Sequence, residues 1–377
     1  MYELIEFTKE IRRKLHKIPE PAFKEFKTTK FIEITIRNMG LQFEKFENLL
    51  TGGYCKIGNQ DNVVLYRTDI DGLPIQESRS NKLKSTHHGY MHACGHDYHT
   101  AFGLALLRYF KDKNLKRGLN VIFQPAEESA DSGGMYTVKE IDFSKVCCVL
   151  GVHMSPYYEK GVIQVKSGPM CASSSLIAFE FKGKGGHTSA PDKSNDLVYI
   201  VSEFISHLND YLRKQIDQEE IFILSFGKIQ GGESHNIIPE KVFVGGSLRV
   251  LNENVYNKIK DLIKDYVKGY EKLYKIKIDF KIPSYCPPVI NNNNLYNNFV
   301  RFISQDKELK ETWKIENKVF MGADDFSFYS RIVPGLYFLI GAKKRGELHS
   351  PILEFDEDVI DISLPLLTRF VEYLLKK

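Results

Sequence analysis

The sequence predicts an α/β protein built on a mostly parallel sheet, and three observations carry that expectation. Apolar runs of strand length at residues 63–66, 119–123 and 146–152 hold no charge, which is how strands read when helices cover both faces of a sheet. Between the first two runs, Phe102, Leu106 and Tyr109 recur at helical spacing, so strand and helix alternate. From about Leu176 the order of elements changes, and near residues 336–340 it changes back. A second, smaller domain is therefore expected inside the first.

Each element has its own local reason. Leu4, Phe7, Ile11 and Leu15 lie on one helical face, with Pro19 and Pro21 following as stops. Phe31, Ile32 and Ile36 lead to Gly40, a residue type that readily takes the left-handed conformation ending a helix. Within the insert, a strand (176–181), a helix (197–212) and a strand (221–226) are followed by a strand (242–250), a helix (255–273) and a strand (276–282). That order, β-α-β-β-α-β, is the ferredoxin-like arrangement. Pro287, Pro288 and the asparagine run 291–294 mark the way out, and a closing helix starts at Val359. The expected division is residues 1–172 with 285–377 as a discontinuous larger domain, and 173–284 as the insert.

Bulk properties exclude several function classes. A chain of 377 residues that is 42% hydrophobic can fill two cores. Lys and Arg total 52 against 48 Asp and Glu, a net charge of +4, far from the concentrated basic footprint that nucleic acid requires. No apolar run is long enough to span a bilayer, and the first sixteen residues do not read as a signal peptide. The six cysteines follow no framework spacing, which fits free thiols in a reducing compartment. A soluble, cytoplasmic protein is expected.

Chemistry concentrates at the ends of the predicted strands. Met91, His92, Ala93, Cys94, Gly95, His96 and Asp97 form a loop entering a helix; Cys94 and His96 suit a zinc-like ion, although a solvated helix cap would read the same way. Glu127 and Glu128 follow the strand at 119–123, where one carboxylate could bind metal and the other carry a proton; taken alone, the pair also reads as a solvated acidic turn. His153 follows the third run, and Asp69 and Asp71 the first. Convergence of these groups on one sheet edge, where α/β proteins gather ligands, favours a site.

At this point the sequence resembles the M20 metallopeptidase family, and in particular its N-acyl-amino-acid amidohydrolase branch, which includes aminoacylases, hippurate hydrolases and N-acetyldiaminopimelate deacetylases. The matching motifs run from Arg13-Lys14-Leu15-His16 through Arg67-Thr68-Asp69-Ile70-Asp71-Gly72-Leu73-Pro74, the loop at Cys94, and Gln124-Pro125-Ala126-Glu127-Glu128. They continue with Gly185-Gly186-His187-Thr188-Ser189-Ala190-Pro191, Gly231-Gly232, Asn236-Ile237-Ile238-Pro239, Asp325-Phe326-Ser327 and His349-Ser350-Pro351. Asp192, Leu197, Asp324 and Gly72 depart from residues common in that branch.

The resemblance implies a dimetal-hydrolase domain carrying two divalent ions per subunit, zinc by ligand chemistry, with manganese, cobalt or nickel as alternatives. It implies that Cys94 bridges the ions, that Glu128 and His349 complete one and His96 and His153 the other, and that Asp71 orients a ligand imidazole from outside. Glu127 matches the general base. The insert resembles a lid and dimerisation domain, in which His187 stabilises the oxyanion in the partner's site and Asn236 and Arg249 hold the substrate's carboxylate. The implied activity is hydrolysis of N-acyl amino acids, N-acetyl ones for example, by a homodimer or higher homo-oligomer. A metallocarboxypeptidase or dipeptidase acting on short peptides is the alternative. A non-catalytic, metal-stabilised binding protein is a third reading, and Glu127 is the residue such a binder would not need.

Overall fold

Apolar stripes settle which faces the helices bury. In the computed structural model, which describes residues 1–78 and 83–377, Leu4, Ile11 and Leu15 are buried on α1 (Tyr2–His16) and Ile32 and Ile36 on α2 (Phe26–Asn38). The chain continues through β1 (Gly53–Ile57), β2 (Val63–Asp69), α3 (His96–Phe110), β3 (Gly118–Gln124), β4 (Val146–Ser155) and β5 (Val162–Gln164). Next come β6 (Ser174–Lys182), α4 (Leu197–Gln215), β7 (Phe222–Gln230), β8 (Lys241–Val250), α5 (Glu253–Tyr274) and β9 (Lys277–Cys286). The last major elements are α6 (Asn293–Gln305), β10 (Lys314–Glu316), β11 (Gly335–Gly341) and α7 (Val359–Lys376). No described helix is long and apolar enough to cross a membrane.

The chain folds into two units. The first comprises Met1–Met170, Val289–Val319 and Asp325–Lys377; the second comprises Cys171–Pro288 and Phe320–Asp324. In the first unit a seven-stranded sheet has the order β1-β3-β2-β4-β11-β5-β10. Its centre, β3-β2-β4-β11, is parallel throughout, whereas β1 joins β3 and β5 joins β11 in antiparallel fashion. The sheet is thus mixed, with the expected parallel core. β2 and β11 are buried at every position; β11 reads as an unbroken apolar run, whereas β2 opens on one and ends with the buried charges Arg67 and Asp69.

The second unit has its own core. Its four strands pair in the order β9-β6-β8-β7, every pair antiparallel. Phe204 and Leu208 of α4 and Ile259 and Ile263 of α5 bury their side chains with Phe179, Phe181 and Val244 of the sheet. The segment 320–324 groups with this unit, where the Ala172 N–H donates to the carbonyls of Phe320 and Gly322 at 3.0 and 2.9 Å. The asparagine run is more than a connection. Asn291 is buried and its amide spans both backbone groups of Tyr337 at 2.7 and 2.8 Å, while Asn292 caps α6 by accepting from the N–H groups of Asn294 and Leu295.

Candidate metal centre

Three parallel strands and one helix end deliver the candidate ligands. β2 ends at Asp69, two residues before Asp71; β3 ends at Gln124, just before the turn carrying Glu127 and Glu128. α3 begins at His96 immediately after Gly95, whose φ of 99° lies in the left-handed region. A Cβ there would also meet Phe355 at 3.0 Å and Met154 at 3.1 Å, so the turn between Cys94 and His96 calls for glycine. His153 was expected just past its strand; instead β4 runs on to Ser155, and His153 sits inside it opposite Leu339. The apolar run stopped at 152 in the sequence because the next residue is the polar His153, although the strand carries on through Met154 and Ser155.

The ligand atoms of Cys94, His96 and His153 all lie within 4.8 Å of one another, and so do those of Cys94, Glu128 and His349. Cys94 belongs to both groups. Its Sγ is 3.2 Å from His153 Nε2, and His349 Nε2 is 3.1 Å from Glu128 Oε1. Two backbone positions pay for this arrangement: Ala126 has a φ of 58° and His349 a φ of 63°, conformations that a side chain disfavours. The His349 N–H is tied to the Ala93 carbonyl at 2.8 Å, which brings the distant residue to the Cys94 loop.

Hydrogen bonds fix which nitrogen of each imidazole is available. His153 Nδ1 lies 2.7 Å from the Met154 carbonyl, and a carbonyl only accepts, so Nδ1 carries the proton and Nε2 presents its lone pair. His96 Nδ1 faces the carbonyl and Oδ1 of Asp71 at 3.0 and 3.1 Å, which frees Nε2 in the same way. That Nε2 is buried without a hydrogen-bond partner. The other oxygen of Asp71 accepts the Glu128 N–H at 3.0 Å, so one carboxylate orients two of the ligand-bearing residues. An unpartnered buried imidazole nitrogen beside a buried thiol and two glutamates is a donor set that fits divalent metal ions.

The electrostatics agree with that fit. Burial, Glu128 and Glu127 push the Cys94 thiol well above its ordinary value. Burial disfavours charge on His96, but Asp69 and Asp71 overcome it and raise the imidazole to about 10. The pocket is rich in negative charge, a field that cations relieve. Glu127 is not in either group that contains Cys94. It is grouped instead with His96 and Glu128, its Oε2 lying 3.7 Å from His96 Nε2.

Several residues of this centre went without a role in the sequence. Arg67 donates to Gln124 at 3.0 Å, to Asp69 at 2.7 Å and to Asp325. Asp325 also accepts from Ser132 and from the Gly134 N–H, at 2.8 and 2.7 Å. Asp69 in turn holds His99 Nδ1 at 2.7 Å, and His99 Nε2 accepts the Met154 N–H at 2.9 Å. Both ring nitrogens of His99 are thereby engaged, which removes it from the ligands. A signal was present: Arg67 and Asp69, two apart on a strand, share a face, and charges inside an apolar run need partners.

Glu25 was missed altogether. It is fully buried, accepting the N–H groups of Ala126 and Phe23 at 2.9 and 3.0 Å and the Thr51 hydroxyl at 2.6 Å. Burial and the nearby Asp71 raise its carboxyl to about 7. It braces the strained residue that precedes Glu127. Glu25→Ala is expected to cost about 1–3 kcal/mol, because buried donors lose their acceptor, and to lower turnover. Glu25→Gln, which keeps an acceptor oxygen, is expected to restore most of both. Thermal unfolding and kcat measured on the metal-loaded variants check this; equal losses in the two would overturn the bracing role.

The remaining predicted site residues lie in the second unit. His187 pairs with Ile237 in a short ribbon, and the Thr188 N–H donates to the Asn236 carbonyl at 3.1 Å. Both His187 and Asn236 are exposed and line an open groove of about 800 Å³ with Gly186, Gly231 and Lys241. Arg249 is not brought to that groove: it lies on β8 and donates to the Met321 carbonyl at 3.2 Å.

Residues 65–373 match the model of peptidase family M20/M25/M40, and the chain belongs to that family of hydrolases. It is an enzyme of that hydrolase family. Among similar proteins, the N-acetyldiaminopimelate deacetylase of Priestia megaterium is 35% identical over 98% of both chains. That of Brevibacillus brevis is 32% identical over 97% of both. Among solved structures, the Bacillus subtilis YXEP protein, described as a dinuclear metal binding peptidase from the M20 family, superposes with a TM-score of 0.85 at 26% identity. The match covers 100% of this chain and 99% of that one.

Proposed function

We propose that this enzyme removes the acyl group from N-acyl amino acids, with N-acetyldiaminopimelate the first substrate to test. The observation that carries the reading is Glu127, a carboxylate set beside two ligand groups that share Cys94. Full-length relatives with deacetylase names add support for the N-acetyl substrate. Cys94, His96 and His153 would hold one ion and Cys94, Glu128 and His349 the other, and zinc suits this mixture of thiolate and imidazole. When bound, the ions supply Lewis-acid polarisation of the amide carbonyl and acidify water.

The chain's own residues account for the proton. Glu127 takes one from the attacking water and returns it to the nitrogen that leaves, so that amide and water become acid and amine. Asp71 keeps His96 in the tautomer that presents Nε2. His187 is the proposed oxyanion donor and Asn236 the proposed holder of the substrate's carboxylate. Arg249 would have to release the Met321 carbonyl to join them, after which its planar fork could make two parallel bonds to a carboxylate. A cytoplasmic setting would keep Cys94 reduced.

Parallel assays of the metal-reconstituted enzyme on N-acetyldiaminopimelate, other N-acetyl amino acids, N-benzoyl amino acids and dipeptides test the substrate. A preference for the N-acetyl compounds supports the proposal. Faster cleavage of dipeptides would replace it with a peptidase.

We also propose that the second unit is a lid that pairs two subunits, and that His187 acts in the partner's site. β7 is an edge strand exposing Ile223 and Ile229, with Ile221 just before it. An edge of this kind offers unpaired backbone groups and apolar surface to a second copy. His187→Ala and Glu127→Gln chains are each expected to be nearly inactive, and activity is expected to reappear when they exchange subunits. Heterodimers, identified by two different tags, that show no rescue would rule out action across the interface.

A further inference from the structure

A bulge in β4 brings together two thiols that the hydrolytic centre does not use. Val63 pairs with Val146 and Val64 with Cys148, so Cys147 is the extra residue that bulges from the ladder. In a regular strand consecutive side chains point to opposite faces. Here Cys147 Sγ lies only 3.9 Å from Cys148 Sγ. Cys148 is buried and Cys147 half-buried, giving the pair one open side. They sit at the start of β4, roughly 17–20 Å along the strand from His153.

The surroundings favour nucleophilic sulfur. Arg117 Nη1 points at Cys147 Sγ from 3.9 Å and is held there by the Leu374 carbonyl at 3.2 Å, while the Cys147 S–H donates to the Val63 carbonyl at 3.1 Å. The contact with Cys148 lowers the Cys147 thiol and burial opposes it; with the charge of Arg117 added, the thiol comes down to about 7. Cys147 itself, together with burial, pushes the Cys148 thiol well up. One sulfur is therefore available as thiolate near neutral pH, and its neighbour is held as a thiol.

We propose that Cys147 and Cys148 form a dithiol site that chelates trivalent arsenic presented as an arsenoxide. The Cys147 thiolate attacks arsenic first, and Cys148 closes the ring. Two S–H bonds and the arsenic–oxygen double bond are exchanged for two S–As bonds and one water, with no change of oxidation state. The product is neutral, which matters at buried Cys148. A soft cation such as copper(I) would need both sulfurs as thiolates and leave a net negative charge there, a costly state even with Arg117 nearby.

Phenylarsine oxide is the probe. Metal-loaded protein is treated with it, washed with excess glutathione and weighed by intact-mass spectrometry. Glutathione strips arsenic from a single sulfur, whereas a chelate persists because its second bond re-forms within the molecule. The wild-type chain is expected to retain one phenylarsenic group and to release it to dithiothreitol. Cys147→Ser and Cys148→Ala are expected to retain none, with circular dichroism checking the fold. Cys147→Ser alters only a half-buried position, so it decides the matter even if Cys148→Ala fails to fold. Retention in a folded variant, or no retention in the wild type, overturns the proposal.

Discussion

Glu127→Gln is expected to keep its metal and lose turnover by about a hundredfold or more, the range in which removal of a general acid–base group falls. That corresponds to about 3 kcal/mol or more in the barrier. The separation of the two effects follows from the geometry. Both ligand groups built on Cys94 omit Glu127, and glutamine occupies nearly the same volume without accepting a proton at this pH. Metal analysis beside kcat on an N-acetyl substrate reads the result. Full turnover with full metal content would mean that the proton travels another way.

Cys94→Ala should behave differently, with metal content and hydrolysis falling together. Its sulfur is common to the His96–His153 and Glu128–His349 groups, so its removal weakens both sites rather than one. Changes to outer-shell partners alone cost about ten- to a hundredfold in metal affinity or activity, and loss of a shared direct ligand should exceed that. Equilibrium dialysis against zinc gives the occupancy. A variant that still binds two ions with wild-type affinity would show that Cys94 is not shared between them.

The central strands and the helical faces were legible from their apolar pattern: β2 opens on the run at 63–66, and α1 repeats Leu4, Ile11 and Leu15 at helical spacing. β1 was not legible, since Lys56 is exposed and Tyr54 half-buried, and a short edge strand leaves little pattern. The candidate ligands were legible one by one, as Cys94, His96, Glu128 and His153 near strand ends, while His349 came only through the motif resemblance. What sequence could not supply was the supporting shell. Glu25, Gln124 and His99 act through partners far away in the chain, as Gln124 does through Asp325, and nothing in local spacing encodes such pairings. Likewise the approach of Cys147 to Cys148 depends on a one-residue slip in pairing that no propensity predicts.

The bond from the His349 N–H to the Ala93 carbonyl bears on how the protein is made. Four of the five candidate ligands are synthesised by residue 153, whereas the fifth follows only after every residue of the second unit has been translated. A nascent chain can therefore present Cys94, His96, Glu128 and His153 together while still lacking the group that completes the Glu128 side. Contacts so far apart in sequence form late. The Glu128 side of the centre is therefore complete only once a segment beyond the second unit has folded back onto the Cys94 loop, which ties that half of the site to the joining of the two ends of the first unit.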